Sequence, residues 1–174
     1  MTTLIWSDAL ALELPVMDDT HREFVDLLAQ AREAAGPDLP RAWQALVDHT
    51  AAHFGQEDQW MQATGFASSN CHTTQHAIVL QIMREALQAG DHTALRILIQ
   101  ELGAWFPHHA QTMDAALALH LRSMGMDPDT GAIPDDASLP TQLLRGCGGA
   151  SCSGPSGAAA SVNAETAALS AQDT

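Results

Sequence analysis

The segment from His53 to His76 constrains this chain more than any other. It places His53 and Glu57 four residues apart, then Gly65-Phe66, then His72 and His76 four residues apart. A four-residue step on an α-helix turns only about 40°, so each pair shares a face and offers two donor atoms to one place. Those faces are otherwise apolar: Leu46, His53, Glu57 and Met61 form one stripe, and His72, His76, Val79, Met83 and Leu87 the next. Three imidazoles and a carboxylate turned toward a core are costly unless something pairs with them. A metal ion answers all four at once. Imidazole with carboxylate suits iron, zinc or manganese, and two such helices side by side put the site inside a helix bundle.

The flanking sequence supplies the remaining helices. An opening segment with Trp6, Leu10, Leu12, Leu14 and Pro15 has no strand partner downstream and is expected to pack as an extended arm. A first helix is predicted from Asp18 or Asp19 as N-cap to about Ala35, with the stripe Met17, His21, Phe24, Val25, Leu28 turning His21 inward. A second runs from Asp38, with Pro40 in its first turn, to Thr64 before Gly65. A third spans about Ser69 to Ala89, closed by Gly90, and a fourth follows Asp91 to about Ser123. Leu95, Leu102, His109 and Ala116 recur every seven residues on this last helix, which turns His109 inward and His108 away. Pro107 lies within it, where its ring collides with the carbonyl of Gly103, so a local kink is expected. Short loops make neighbouring helices antiparallel. The expected fold is all-α, an up-down-up-down antiparallel four-helix bundle with an extended N-terminal arm.

Composition divides the chain at about residue 124. Residues 1–124 hold every Trp, Phe and His, whereas 125–174 is rich in Gly, Ala, Ser, Pro, Asp and Thr and buries too little to offset the entropy of ordering. The expectation is a bundle over 1–124 and a disordered, flexible tail over 125–174. A formal charge of −14, with seven Arg and no Lys, argues against a nucleic-acid or anionic-membrane partner. The N-terminus has no charged start followed by an apolar run, and no stretch approaches a membrane span of about 18 apolar residues, so a soluble cytoplasmic protein is expected. Three Cys make no even disulfide framework, and reduced thiols are expected.

A single inward His is more often a hydrogen-bonded core residue than a ligand. Spacing here gives five, His21, His53, His72, His76 and His109, together with Glu57, distributed over all four helices. That distribution reverses the odds. The full arrangement resembles the hemerythrin family, and its single-domain bacterial members in particular. The resemblance runs from Trp6 to about Leu121 and rests on Asp18-Asp19-Thr20-His21, on His53-Phe54 with Glu57-Asp58, Met61 and Gly65-Phe66, on the His72 and His76 pair, and on Trp105, His109 and Asp114.

The resemblance implies two non-haem irons joined by an oxo or hydroxo bridge. His72, His76 and His109 would hold one, His21 and His53 the other, and Glu57 and Asp114 would bridge them. Asp114 enters on the resemblance alone, because a five-residue step from His109 turns about 140° on an α-helix. One iron would keep an open position at which O₂ binds, takes an electron from each iron and leaves again as O₂. Phe54, Trp105 and Phe106 would line the space around the irons. Five neutral imidazoles and two carboxylates make milder ferrous iron than the carboxylate-rich sets of oxygen-activating bundles. Oxygen storage, delivery or sensing is the first reading, and not an enzyme. A di-iron peroxidase or nitric oxide reductase is the second, and an interaction module docking on a partner protein through its tail the third. Where the family has Tyr this chain has Phe66 and Leu117, and at two aliphatic positions it has Phe106 and Ala110.

Other candidates carry less. His49, one turn before His53, is either beside the site or an exposed cap, and His92, His108 and His120 are expected on the surface. Cys71 adjoins His72 but points about 100° away and is expected as a small buried hydrophobe. Cys147 and Cys152 lack zinc-type spacing, and the stretch from Asp127 to Gly131 begins like a calcium loop without its later ligands and reads as a turn.

Overall fold

A computed structural model of the protein describes residues 4–66 and 71–135. Helix α1 runs over Pro15–Glu33, α2 over Asp38–Thr64, α3 over Cys71–Ala89 and α4 over His92–His109. A π-helical turn over Ala110–Asp114 then leads into α5, Ala115–Ser123. In sequence α1, α2, α3 and α4 each pack on the next, and α4 returns to α1. The result is the antiparallel four-helix bundle, and no strand occurs among the described residues.

Most boundaries follow from their local chemistry. Gly65 ends α2 with φ at 69°, which costs glycine little, and Phe66 N–H closes back on the Met61 carbonyl at 2.9 Å. Asp91 caps α4 by accepting from Thr93 N–H at 2.8 Å. α1 begins earlier than the expected Asp18 or Asp19. Pro15 opens it, since proline presets helical φ and lacks an N–H that would have no partner there. Asp18 serves the arm instead, accepting from Leu12 N–H at 2.7 Å. The expected start of α3 at Ser69 lies outside the described residues. α-Helical structure continues through Pro107, and the departure from it begins three residues later, at the π turn.

Two apolar clusters divide the core along its length. One gathers Phe24, Leu28, Trp43, Leu46, Met83, Leu95, Ile99 and Phe106, and the other gathers Leu14, Met17, Trp60, Met61, Phe66, Leu117 and Leu121. Between them on α1, α2 and the rod from α4 to α5 lies one polar layer. Leu4 and Trp6 of the arm pack on the first cluster and Leu12 on the second, so the arm runs along the bundle. It is pinned by Arg122 to the carbonyls of Leu12 and Glu13.

Packed chain continues past Met124. Met126 is buried, Val16 N–H donates to the Pro128 carbonyl at 3.1 Å, and Trp60 Nε1–H donates to the Gly131 carbonyl at 3.1 Å. Gly131 has φ of 70°, and a Cβ there would lie 2.8 Å from Trp60 Cζ2, so glycine is what allows the strap to close on the indole. Asp127 forms the expected turn, accepting from Thr130 N–H at 2.8 Å. The remainder of the expected tail lies outside the described residues. No helix among them is long and apolar enough to cross a membrane.

Cys71 corrects one expectation. It is disulfide-bonded and not a reduced thiol, and it is only half-buried, because its place one step round the helix from His72 turns it out of the core. The other two cysteines, Cys147 and Cys152, lie outside the described residues.

Candidate metal centre

The polar layer is built by all four helices. α1 contributes His21, α2 contributes His53 and Glu57, α3 contributes His72 and His76, α4 contributes His109, and the π turn contributes Asp114. All seven are buried. Their donor atoms form two groups: Glu57, His72, His76, His109 and Asp114 in one, His21, His53, Glu57 and Asp114 in the other, each with its atoms within 4.8 Å of one another. The two carboxylates belong to both.

How they are shared is specific. Glu57 sets Oε1 at 3.0 Å from His53 Nε2, and Oε2 at 3.3 Å from both His72 Nε2 and His76 Nε2. Asp114 sets Oδ2 at 3.3 Å from His21 Nε2, and Oδ1 at 3.0 Å from His72 Nε2 and 3.1 Å from His109 Nε2. Each carboxylate thus gives one oxygen to the two-histidine group and the other to the three-histidine group. Glu57 Oε2, both Asp114 oxygens, His21 Nε2 and His72 Nε2 are buried without a hydrogen-bond partner despite this proximity. Their lone pairs converge on shared centres instead of on one another, and a buried polar layer so arranged calls for cations.

Asp114 reaches this layer because of the π turn. Five residues separate it from His109, and an i→i+5 turn returns that step to the same face, where an α-helix would have rotated it away. Sequence spacing alone missed it for this reason.

Charge in the layer is finely matched. Burial raises the carboxyl pKa values, but the surrounding imidazoles hold Glu57 and Asp114 well below the ordinary carboxylate range. Burial lowers the His72 pKa, yet Asp114 and Glu57 outweigh it and push the ring up to about 9. His109 shifts the other way, because burial dominates there.

Aromatic rings wall the layer. Phe54 stacks on His76 at 3.9 Å between centroids, and Trp105 stacks on His109 at 4.4 Å while its Nε1–H donates to Gln75 Oε1 at 3.4 Å. Phe106, fully buried, stacks on Phe24 at 4.3 Å and sets its ring edge-on to His21 at 5.2 Å. Beside His53 lies a cavity of about 280 Å³, lined in part by Thr20, Glu23, His49 and Gln56. His49 stands there with Nε2 at 3.1 Å from the Thr20 carbonyl and Nδ1 at 3.5 Å from Glu23 Oε2.

His92 and His108 are exposed as expected. His120, expected on the surface, is buried beside Phe66 with Nε2 at 3.3 Å from the Thr64 carbonyl. It sits three residues after Leu117, on the stripe that packs the second apolar cluster, and that spacing was the available signal. Asp58 was missed as well: its Oδ1 lies 3.0 Å from His76 Nδ1.

Comparison with known proteins agrees with this geometry. The model of the hemerythrin HHE cation-binding domain matches residues 13–119. A bacteriohemerythrin of Ralstonia nicotianae is 35% identical over 130 residues, covering 73% of this chain and 95% of the relative. One of Stenotrophomonas maltophilia is 25% identical over 146 residues (75% and 92%), and one of Pseudomonas paraeruginosa 27% over 124 residues (66% and 79%). No solved structure matches the chain. With a matching domain over most of the bundle and a relative covered almost end to end, the chain belongs to the hemerythrin family.

Proposed function

We propose that the protein binds O₂ reversibly at a non-haem di-iron centre held by His21, His53, Glu57, His72, His76, His109 and Asp114. The observation that carries this reading is the division of each carboxylate, one oxygen to each histidine group, which suits two ions side by side and not one. The three-histidine group offers five protein donors, one more than zinc ordinarily takes in a structural site, and the other group offers four. With a bridging hydroxide, six donors would surround an ion at the three-histidine position and five an ion held by His21 and His53, which would leave one opening there. Two ferrous ions there would supply electrons to O₂ on binding and recover them on release. The chain's part is to keep that opening dry. Phe106 and Phe24 close it on the α1 and α4 side, and neutral imidazoles would leave ferrous irons less reducing than carboxylate-rich sets do.

The names of the relatives support an oxygen-binding role over an enzymatic one. The test is gas uptake by anaerobically reduced, iron-loaded protein. One O₂ per two irons, released again under vacuum, is expected, and irreversible oxidation without release would overturn the reading.

The second reading, a di-iron redox enzyme, draws on the cavity beside His53, which offers peroxide or nitric oxide a way toward the same opening. It requires catalytic consumption of one of these with a supplied reductant, at many equivalents per centre.

A further inference from the structure

The five histidines of the centre differ at their outward ring nitrogens. Nδ1 of His21, His53, His72 and His109 is buried without a hydrogen-bond partner among the described residues. His76 Nδ1 instead meets the Asp58 carboxylate at 3.0 Å. Asp58 follows Glu57 directly, so a single turn of α2 delivers both a shared inner carboxylate and an outer one. Phe54, one turn earlier on the same face, lies flat on the His76 ring, with an interplanar angle of 6°. α2 therefore grips a side chain of α3 by its face and by its edge.

We infer that Asp58 is a positioning residue that holds His76 in the Nδ1–H form, aims its Nε2 lone pair at the three-histidine position, and makes that position the firmly held half of the pair. An Nδ1–H donated to a carboxylate fixes the tautomer and the ring's rotation, and strengthens the opposite nitrogen as a donor. Stronger donation favours the more highly charged ion, so the bond also steadies the oxidised state at this position. His21 and His53 have no such partner, and His53 borders the cavity between α1 and α2. Metal leaves more readily from their side. Asp58 is itself half-exposed, with a side-chain exposure of 43%, so its substitution leaves the packed core intact.

This inference rests on the two-metal reading, and failure of that reading would appear in the parent protein as a wrong metal count before any variant is compared. The test uses full-length protein loaded with iron and, separately, with Co²⁺, whose release to a chelator is followed without O₂. Asp58→Ala should release metal about 10–100 times faster than the parent, with one of the two ions leaving first. Asp58→Asn keeps an oxygen to accept Nδ1–H and loses the charge. It should restore most of the retention while the midpoint potential of the iron pair still moves positive, a change that a merely structural contact would not produce. Parent-like release from Asp58→Ala, or an unchanged potential in both variants, would overturn the inference.

Discussion

His109 Nε2 and Asp114 Oδ1 stand 3.1 Å apart because the turn that joins them is π-helical. In an α-helix the same two residues would diverge by about 140°. The wider turn lets one rod give both an end-on imidazole and a carboxylate that faces both histidine groups. Asp114→Ala should therefore lower the content of both irons, since it removes a donor from each group. His108→Ala, one residue from His109 but exposed, should leave metal content at the parent level. Elemental analysis of the two variants is decisive. Full metal content in Asp114→Ala would take the π turn out of the site.

Phe106 is the ring between the first apolar cluster and the two-histidine group. Truncation to Ala should cost about 3–5 kcal/mol of stability, as for a fully buried ring, and leave a void beside His21. Ala110, its buried neighbour one turn on, is too small to fill it. In folded variant protein, O₂ release and oxidation to the ferric form should both accelerate, with iron content unchanged because no donor is lost. Stopped-flow release and decay of the oxygenated spectrum measure the two rates. Parent-like values for both would assign the wall to other side chains.

Metal loading should depend steeply on pH. Without metal, the His72 ring, pushed up to about 9, carries a proton at neutral pH that an incoming ion must displace. Its raised value comes from the carboxylates that the metal would also bind. Apparent affinity should rise with pH and level off above 9, falling about tenfold per unit below that for each displaced proton. Co²⁺ titrations at several pH values, with the released protons counted, check this. An affinity that is flat from pH 6 to 9 would mean that His72 is already neutral.

Two truncations isolate the contribution of the strap. Cutting after Met126 removes the Pro128 and Gly131 carbonyls and leaves Val16 N–H and the Trp60 indole without these acceptors. Each lost bond should cost about 1 kcal/mol, seen as a lower midpoint of thermal unfolding. Cutting after Asp135 keeps both bonds. Under reducing conditions, which remove any contribution from the Cys71 disulfide, the second truncation should unfold with the full chain and the first below it. Equal midpoints for the two would mean that the strap adds nothing.

The residues that could be read from the sequence are those whose helix obeys ordinary spacing. His53 with Glu57, and His72 with His76, fall on shared faces by a four-residue rule that the structure keeps. Gly65, Gly90 and Asp91 punctuate the helices where their backbone chemistry says they should. Asp114 broke the rule because the helix itself changes pitch, and only the family resemblance supplied it. His120 was misplaced because a polar name outweighed its position between Leu117 and Leu121. The strap escaped notice because its hold depends on two backbone carbonyls and a glycine, and backbone acceptors carry no signature in composition. Asp58 lies on a different helix from His76, so no local pattern links them.

The bond from Val16 N–H to the Pro128 carbonyl also bears on the order in which the molecule can be made. The first turn of α1 leaves N–H groups that its own helix cannot satisfy, and one of them waits for an acceptor near the far end of the described chain. While the ribosome is still synthesising α3, that acceptor does not exist, and neither do His109 and Asp114. A nascent chain at that stage can form helical hairpins, but its Val16 N–H must turn to water and its candidate metal centre lacks two of its seven residues. The seven candidate metal-holding residues therefore come together late, only after Asp114 has left the ribosome.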